Sequence, residues 1–182
     1  NVIKIDLQNS WLKFQSVKAG DRLLAFEKTT GMANRNNFEE HRVIAAVNGD
    51  FYNTSTGEQI GTQVASGELL KVNPNWLNIA FDILKKPMIG LQNFSGSLIS
   101  GDSIKSIAGV NRIRGTDELI IFNSFNGNST ATNQYGTEVH LSPLDAWMVN
   151  DTIRCIVDSV VMGAGNMFIG VKKAVLSGHG SS

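Results

Sequence analysis

The chain has 182 residues, of which 42% are hydrophobic, and this is enough for one domain with a sizeable core. Sixteen basic and sixteen acidic residues cancel, so no charge excess favours nucleic acid or an anionic membrane surface as a partner. A single cysteine, Cys155, excludes an internal disulfide, and three widely spaced histidines give no zinc-binding pattern.

The first part of the chain predicts a hairpin, a short helix and a buried strand. Residues 2–7 alternate between apolar and polar side chains, and residues 11–17 are rich in aromatic and β-branched types, so we expect two paired strands. Thr30 is a suitable residue to cap a short helix that runs to about Asn37. Residues 43–47 are five apolar residues in a row, which is typical of a strand buried on both faces.

The rest of the chain predicts short strands separated by glycine-bearing turns. Residues 61–70 read as strand, turn and strand, with the turn at Ser66-Gly67. Further strands are expected at residues 77–84, 88–94, 97–100, 118–122, 137–141, 153–162 and 175–176. The sequence therefore predicts an α+β fold of β-rich mixed sheets with one or two short helices.

A polar turn follows the predicted buried strand and is the first candidate for a functional site. Asn48, Gly49 and Asp50 place an amide, a conformationally free residue and a carboxylate at the carboxyl end of that strand, followed by Phe51 and Tyr52. Strand ends are common places for chemistry. The alternative interpretation is that Asn-Gly is simply a tight turn.

A second acidic residue stands eight positions further along, in a flexible polar loop. Asp50 and Glu58 could face one cleft, as cleavage of a glycosidic bond requires, or both could simply be solvated loop charges.

Arginine and histidine residues near the end of the chain give the remaining candidates. Arg112 and Arg114 could hold a phosphate through paired donors, or could be surface charges at a strand end. His179 could lie where backbone and substrate come close, and its spacing from Ser177 has no special meaning without geometry.

Several of these segments together resemble the phosphodiester glycosidase family, also described as the uncovering-enzyme-like domain. The resemblance lies in the order of several short sequence segments over nearly the whole chain, although each segment alone is weakly specific. These segments are Lys4-Ile5-Asp6-Leu7, Ala45 through Tyr52, Gly61, Ser66-Gly67-Glu68-Leu69, Asn111 through Arg114, Leu119 through Phe122, Thr130 through Asn133, Gly136 through Val139 and Val175 through Gly180.

The resemblance implies hydrolysis of the bond between a sugar's anomeric carbon and a phosphate, as when N-acetylglucosamine is removed from a phosphodiester. It implies Asp50 and Asn48 as catalytic residues, with Asp50 as general base or electrostatic stabiliser. The expected substrate-binding residues are Gly49, Phe51, Tyr52, Glu58, Arg112, Arg114 and His179. No cofactor is expected, and a divalent cation beside Asp50 is conceivable although no ligand cluster requires one.

One departure from the family pattern qualifies these expectations. The family continues into an arginine segment and an Asp-Gly-Gly-Gly-Ser motif, neither of which the sequence contains. We therefore expect residues 1–182 to form a single, incomplete domain of this family that lacks its carboxyl-terminal part. The alternative function is a carbohydrate- or phosphate-binding module, or a catalytically inactive, envelope-associated one. A third possibility is a purely structural envelope domain, which would bind no ligand at residues 48–58.

The expected location is outside the cytoplasm, as a secreted, periplasmic or envelope-associated protein. Bacterial members of the family resemble exported proteins, and the chain begins with asparagine, which is compatible with processing. The longest apolar runs are far short of a membrane span, so we expect no transmembrane segment. The expected partner is a small or glycan sugar-phosphate, with no nucleic acid.

Overall fold

The computed structural model describes residues 2–179. Gly180, which ends the segment Val175 through Gly180 named in the family resemblance, lies outside the described residues. The described part is mostly strands, with one α-helix, α1 (Thr29–Arg35), and two short 3₁₀ turns, Ala19–Asp21 and Ser124–Asn126. The strands in chain order are β1 (Gln63–Ala65), β2 (Glu68–Lys71), β3 (Asn78–Phe81), β4 (Pro87–Gly90), β5 (Gly96–Ser100), β6 (Ser103–Ile107), β7 (Gly109–Val110), β8 (Leu119–Asn123), β9 (Gly136–Pro143), β10 (Cys155–Ala164) and β11 (Ala174–Gly178). The expected β-rich α+β class is confirmed.

The largest sheet has five strands in the order β10-β9-β11-β8-β7. Only the pair of β7 and β8 is parallel, and the central strand β11 pairs with β8 on one side and β9 on the other. Because side chains alternate along a strand, the sheet has apolar residues on both faces. One cluster contains Ile120, Phe122, Ile169 and Val175, and the other contains Leu141, Ala174 and Leu176.

Three two-stranded hairpins, β1-β2, β3-β4 and β5-β6, account for the other strands. The predicted turn between β1 and β2 is confirmed, and Ser66 and Gly67 both have positive φ, at 51° and 88°. Two successive residues with positive φ are what a two-residue hairpin turn of type I′ requires. The sequence at this turn therefore sets the local hairpin.

Two buried asparagines fasten this first hairpin to the large sheet. Asn111 donates to the Leu70 carbonyl at 3.0 Å and to Oδ1 of Asn123 at 2.6 Å. Asn123 in turn donates to the Leu69 carbonyl at 2.9 Å. The hairpin β1-β2 is thus held in place by side-chain amides that bond its backbone.

The structure contradicts two predictions for the first part of the chain. Residues 2–7 and 11–17 form no strand, although the turn near Asn9 is present through the hydrogen bond from the Leu12 amide to the Asn9 carbonyl. Residues 43–47 also form no strand, and Ile44 and Val47 are each 76% exposed. An apolar run can be buried only where a neighbouring strand or face covers it, and none of the described segments pairs with this one.

The predicted short helix is present, but it begins two residues earlier than a helix capped by Thr30 would, and it ends at Arg35. Helix α1 starts at Thr29 and is preceded by Lys28, with no side-chain cap, so Thr30 is not the capping residue. Arg35 in its last turn donates to Glu27 and to Asp21, which anchors the helix to the preceding segment. No helix within residues 2–179 is long and apolar enough to cross a membrane.

Candidate functional site

A narrow loop between Phe51 and Ile60, called here the 51–60 loop, carries the first candidate residues. The Ile60 amide donates to the Phe51 carbonyl at 3.0 Å, and Tyr52 forms an antiparallel bridge with Gln59. The Gly57 amide donates to the Asn53 carbonyl at 2.8 Å and closes the tip. This pairing places Asp50 just before the loop and Glu58 on its returning arm.

Backbone amides from both arms of the loop hold the carboxylate of Asp50. The Gly61 amide donates to Oδ2 at 2.6 Å, and the Phe51 amide donates to Oδ1 at 2.7 Å. The side-chain amide of Asn48 donates to the Asp50 carbonyl at 3.0 Å. Since each carboxylate oxygen can accept more than one hydrogen bond, Asp50 keeps acceptor capacity while its position is fixed.

Gly49 and Gly61 differ in what they contribute to this arrangement. Gly49 lies outside the left-handed region and has open space beside it, so its expected conformational freedom is not used. A Cβ on Gly61 would lie 2.9 Å from Oδ2 of Asp50 and 2.9 Å from Oδ1 of Asn78. The close approach of the Asp50 carboxylate therefore requires a glycine at position 61.

Two lysines surround the carboxylates of the loop. Lys71 forms an ion pair with Glu58 at 2.6 Å and also donates to the Gln59 carbonyl at 2.7 Å. Lys18 is buried and donates to the Gly57 carbonyl at 2.8 Å. Burial is the main cause that lowers the pKa of Lys18, and the charge of Lys71 lowers it further, while the carboxylates of Glu58 and Asp50 oppose that shift. Asp50 and Glu58 thus lie within electrostatic range of the same buried ammonium.

Exposed aromatic rings stand beside these charges. Phe51 and Tyr52 are 71% and 50% exposed. Trp76 meets Phe51 edge to face at a centroid distance of 6.2 Å, and Phe26 meets Tyr52 in the same way at 6.1 Å. Aromatic rings that are partly held by neighbours and open to solvent provide an apolar surface for a ligand ring.

Arg112 and Arg114 have different partners, although they are only two positions apart. Arg112 is exposed and pairs with both carboxylate oxygens of Glu118, at 2.7 and 2.8 Å. The hydrogen bond with Glu118 is the main cause that raises the pKa of the Arg112 guanidinium. Arg114 is buried and donates to the Ser177 hydroxyl and to Oδ1 of Asn133. The two guanidinium groups therefore do not form one paired donor site.

His179 lies at the end of β11, and its backbone amide donates to the Glu118 carbonyl at 3.3 Å. It lines a shallow groove together with Gly136 and Tyr135. Gly136 is also in contact with Arg114, whose Nη1 would lie 2.3 Å from a Cβ at that position. Arg114 and His179 are therefore brought together around Gly136. The Ser177 hydroxyl bonds Arg114 and Glu138, so it does not form a triad with His179.

Apart from Arg112, which pairs with Glu118, the candidate residues thus fall into two groups. Asn48 through Tyr52 and Glu58 gather at the 51–60 loop, whereas Arg114 and His179 lie at the end of the large sheet. Across residues 2–179, no hydrogen bond or ion pair joins one group to the other. Within the same span, no three His, Cys, Asp or Glu side chains are grouped so that they could hold a metal ion.

Sequence reasoning missed Lys18 and Lys71 at the 51–60 loop, and it also missed the buried Glu138, which bonds Ser177 next to Arg114. Only the structure shows Lys18, because it is distant in sequence from the carboxylates it approaches. The sequence did offer an indication for Glu138, which lies in the alternating segment 137–141. An acidic side chain in such a strand is costly to bury, so if it is buried it must have polar partners.

Comparison with known proteins gives no relative: no family model, curated protein or solved structure matches the chain.

Proposed function

We propose that this chain recognises a sugar-1-phosphodiester at the 51–60 loop, and that the protein hydrolyses the bond between the sugar and the phosphate. One observation carries the proposal: the loop gathers Asp50 and Glu58 around Lys18 and Lys71, directly beside exposed aromatic rings. A sugar phosphate needs these three kinds of group, namely acceptors for hydroxyls, cations for phosphate and an apolar surface for the ring.

Asp50 is the residue assigned to the reacting sugar. As the bond to phosphate breaks, the anomeric carbon gains positive charge and the phosphate keeps the bonding electrons. A carboxylate that is held by the Gly61 and Phe51 amides is a fixed negative charge, which stabilises the developing cation without reorganisation. Asp50 therefore acts as electrostatic stabiliser, or as the base that takes a proton from the attacking water.

Donors and cations around the loop are assigned to the phosphate. Asn48 and the Gly49 amide directly precede Asp50, and Lys71 reaches the returning arm at Glu58 and Gln59. Because a phosphate is a good leaving group, it needs charge stabilisation more than it needs a proton.

A specific observation also favours the alternative, a carbohydrate- or phosphate-binding module without catalysis. Arg114 and His179, which the family resemblance assigns to substrate, lie with Gly136 and not with Asp50. A site with acceptors, cations and aromatic rings but without those two residues is sufficient for binding. The proposed exported location follows from the same resemblance to phosphodiester glycosidases.

The test is the release of free sugar from UDP-N-acetylglucosamine by the protein at its natural length. We expect release by the wild type, and a loss of about 100-fold or more in kcat on Asp50→Asn, since one fixed electrostatic group contributes on this order. Asp102→Asn is the matched control, because Asp102 is exposed in the β5-β6 turn.

Three outcomes separate the two candidate functions. Release that depends on Asp50 supports the hydrolase. Binding of UDP-N-acetylglucosamine without release, weakened by Asp50→Asn, supports the binding module. Equal release by wild type and Asp50→Asn would remove Asp50 from the mechanism.

A further inference from the structure

A second cavity, called here the Glu68 pocket, opens between the first hairpin and the segment after β9. Its volume is about 390 Å³, within the usual range for pockets that hold small molecules. Residues 15–18 form one wall. Ala65, Ser66 and Glu68 of the first hairpin form another, and Pro143, Asp145, Ala146 and Trp147 form the third.

Hydrogen bonds between the walls hold this pocket open. Gln63 in β1 donates to Ser16 at 2.7 Å, which ties the hairpin to the first wall. The Val149 amide donates to the Gly67 carbonyl at 2.9 Å, and a Cβ on Gly67 would lie 2.7 Å from the Trp147 carbonyl. Since three separate segments are fixed to one another, the cavity is already formed without a ligand.

The carboxyl group of Glu68 lies in this pocket without a protein partner. It is half-buried and, throughout residues 2–179, it accepts no hydrogen bond and forms no ion pair. A carboxylate that is removed from water without a partner is unfavourable, and a ligand that supplies a charged donor would relieve this cost.

The other charged groups that line the pocket either have partners or are exposed. Asp21 pairs with Arg35, and Asp145 pairs with Arg154, and neither arginine lines the cavity. Lys18 lines it, but its ammonium donates to the carbonyl of Gly57, which is not part of the lining. Lys172 is exposed. Glu68 is therefore the one carboxylate of this lining that has no partner within residues 2–179, and such a carboxylate favours a cationic ligand.

Two aromatic rings complete the lining. Phe125 and Trp147 both contribute to the wall, and Trp147 is partly buried against the apolar cluster around Leu141. Aromatic rings attract cations and also cover the apolar part of a ligand.

We propose that the Glu68 pocket binds a small organic ammonium ion with an apolar body, whose ammonium group pairs with the Glu68 carboxylate. Lys18 belongs to both sites, but neither Asp50 nor Glu58 lines this pocket, so substitutions of Glu68 and of Asp50 test the two sites separately. The direction of the pKa shift agrees with an unpartnered carboxyl, since burial raises the pKa of Glu68 to about 7. Asp145, in contrast, stays ionised, because hydrogen bonds from Arg154 lower its pKa to about 2.

The experiment is calorimetric titration of the whole chain with benzylammonium chloride, benzyl alcohol and sodium benzoate. We expect benzylammonium to bind at least about tenfold more tightly than benzyl alcohol, because a hydrogen bond to a charged group is stronger than a neutral one. Glu68→Gln should remove this difference. Glu40→Gln, at an exposed position near α1, is the control and should not change it.

A pH series on the wild type tests the same claim without a substitution. Benzylammonium keeps its charge between pH 6 and pH 8 while Glu68 loses its proton, so its affinity should rise over this range and that of benzyl alcohol should not. The proposal is overturned if benzylammonium does not bind, if benzyl alcohol or benzoate binds as tightly, if Glu68→Gln has no effect, or if affinity for benzylammonium falls towards pH 8.

Discussion

The hydroxyl of Ser177 donates a hydrogen bond of 2.9 Å to Glu138, a carboxylate that is completely buried in the large sheet. The same hydroxyl accepts a hydrogen bond from Arg114 and thereby links the two buried charges. The remaining donors to Glu138 are the hydroxyls of Thr130 and Thr132 and the Met167 amide. Every oxygen of this buried carboxylate is thus satisfied, which is the condition for tolerating it.

Ser177→Ala should destabilise the fold by about 1–3 kcal/mol, because it leaves one guanidinium N–H of buried Arg114 without its acceptor and removes one donor from Glu138. Denaturant unfolding measures this, with exposed Ser97→Ala in β5 as the control. Equal midpoints for the two variants would show that the link between Arg114 and Glu138 carries no stability.

Asn111→Ala should also cost about 2–4 kcal/mol. The alanine loses the side-chain bonds to Leu70 and Asn123, leaves the Asn123 amide without its acceptor, and must adopt a φ of +47°. Chemical denaturation should show this loss, whereas Asn75→Ala, at an exposed position, should leave stability within about 0.5 kcal/mol of wild type. A small effect at position 111 would mean that the first hairpin does not depend on its asparagine anchor.

Gly61→Ala should destabilise the 51–60 loop by about 1–3 kcal/mol through overpacking. The new Cβ would lie 2.9 Å from both Asp50 and Asn78 and 3.1 Å from Trp76, so these side chains must move. Gly90→Ala in β4 is the matched control, because open space surrounds that glycine. Thermal unfolding of the two variants compares them directly, and an unchanged Tm for Gly61→Ala would contradict the close approach of Asp50.

Glu68 should make stability depend on pH between about 4.5 and 7. Burial raises the pKa of this carboxyl to about 7 in the folded chain, above its ordinary value of 4.5. The folded state therefore holds the proton more tightly, and the associated stability is present below pH 4.5 and is lost as the pH rises through 7. Because the side chain is partly exposed, we expect about 1–2 kcal/mol.

Glu68→Gln should remove this dependence. The unfolding free energy of the wild type should thus fall relative to that of Glu68→Gln between pH 5 and pH 8. A constant difference over that range would show that Glu68 is not desolvated in the folded chain.

Local sequence patterns predicted strands that are joined by a recognisable turn, and strands that form a long run of β-type residues. The β1-β2 hairpin followed from Ser66-Gly67, and the strand at Cys155–Ala164 followed from a long β-type run. Residues 43–47 were mispredicted because five apolar residues do not indicate which surface will cover them.

The geometry of the candidate site was predictable only where it is local in sequence. Asp50 and Glu58 are joined by one short loop, so their proximity could be proposed from spacing alone. The approach of Lys18 spans 39 residues to Gly57, and the link between Ser177 and Glu138 spans another 39. Contacts at such separations depend on how distant segments are arranged in the fold. The hydrophobic periodicity of the sequence predicts local elements, but it does not show which of them lie next to each other.

The most direct test of the central claim maps where a sugar phosphate binds. Two-dimensional amide NMR of the chain, titrated with a non-hydrolysable sugar-1-phosphonate, should shift the Phe51, Tyr52 and Gly61 amides and the Trp76 indole. The same titration of Asp50→Asn should need a higher ligand concentration for equal shifts. Shifts confined to Gly136 and His179 or to the Glu68 pocket, or the absence of any shift, would contradict the assignment of the 51–60 loop.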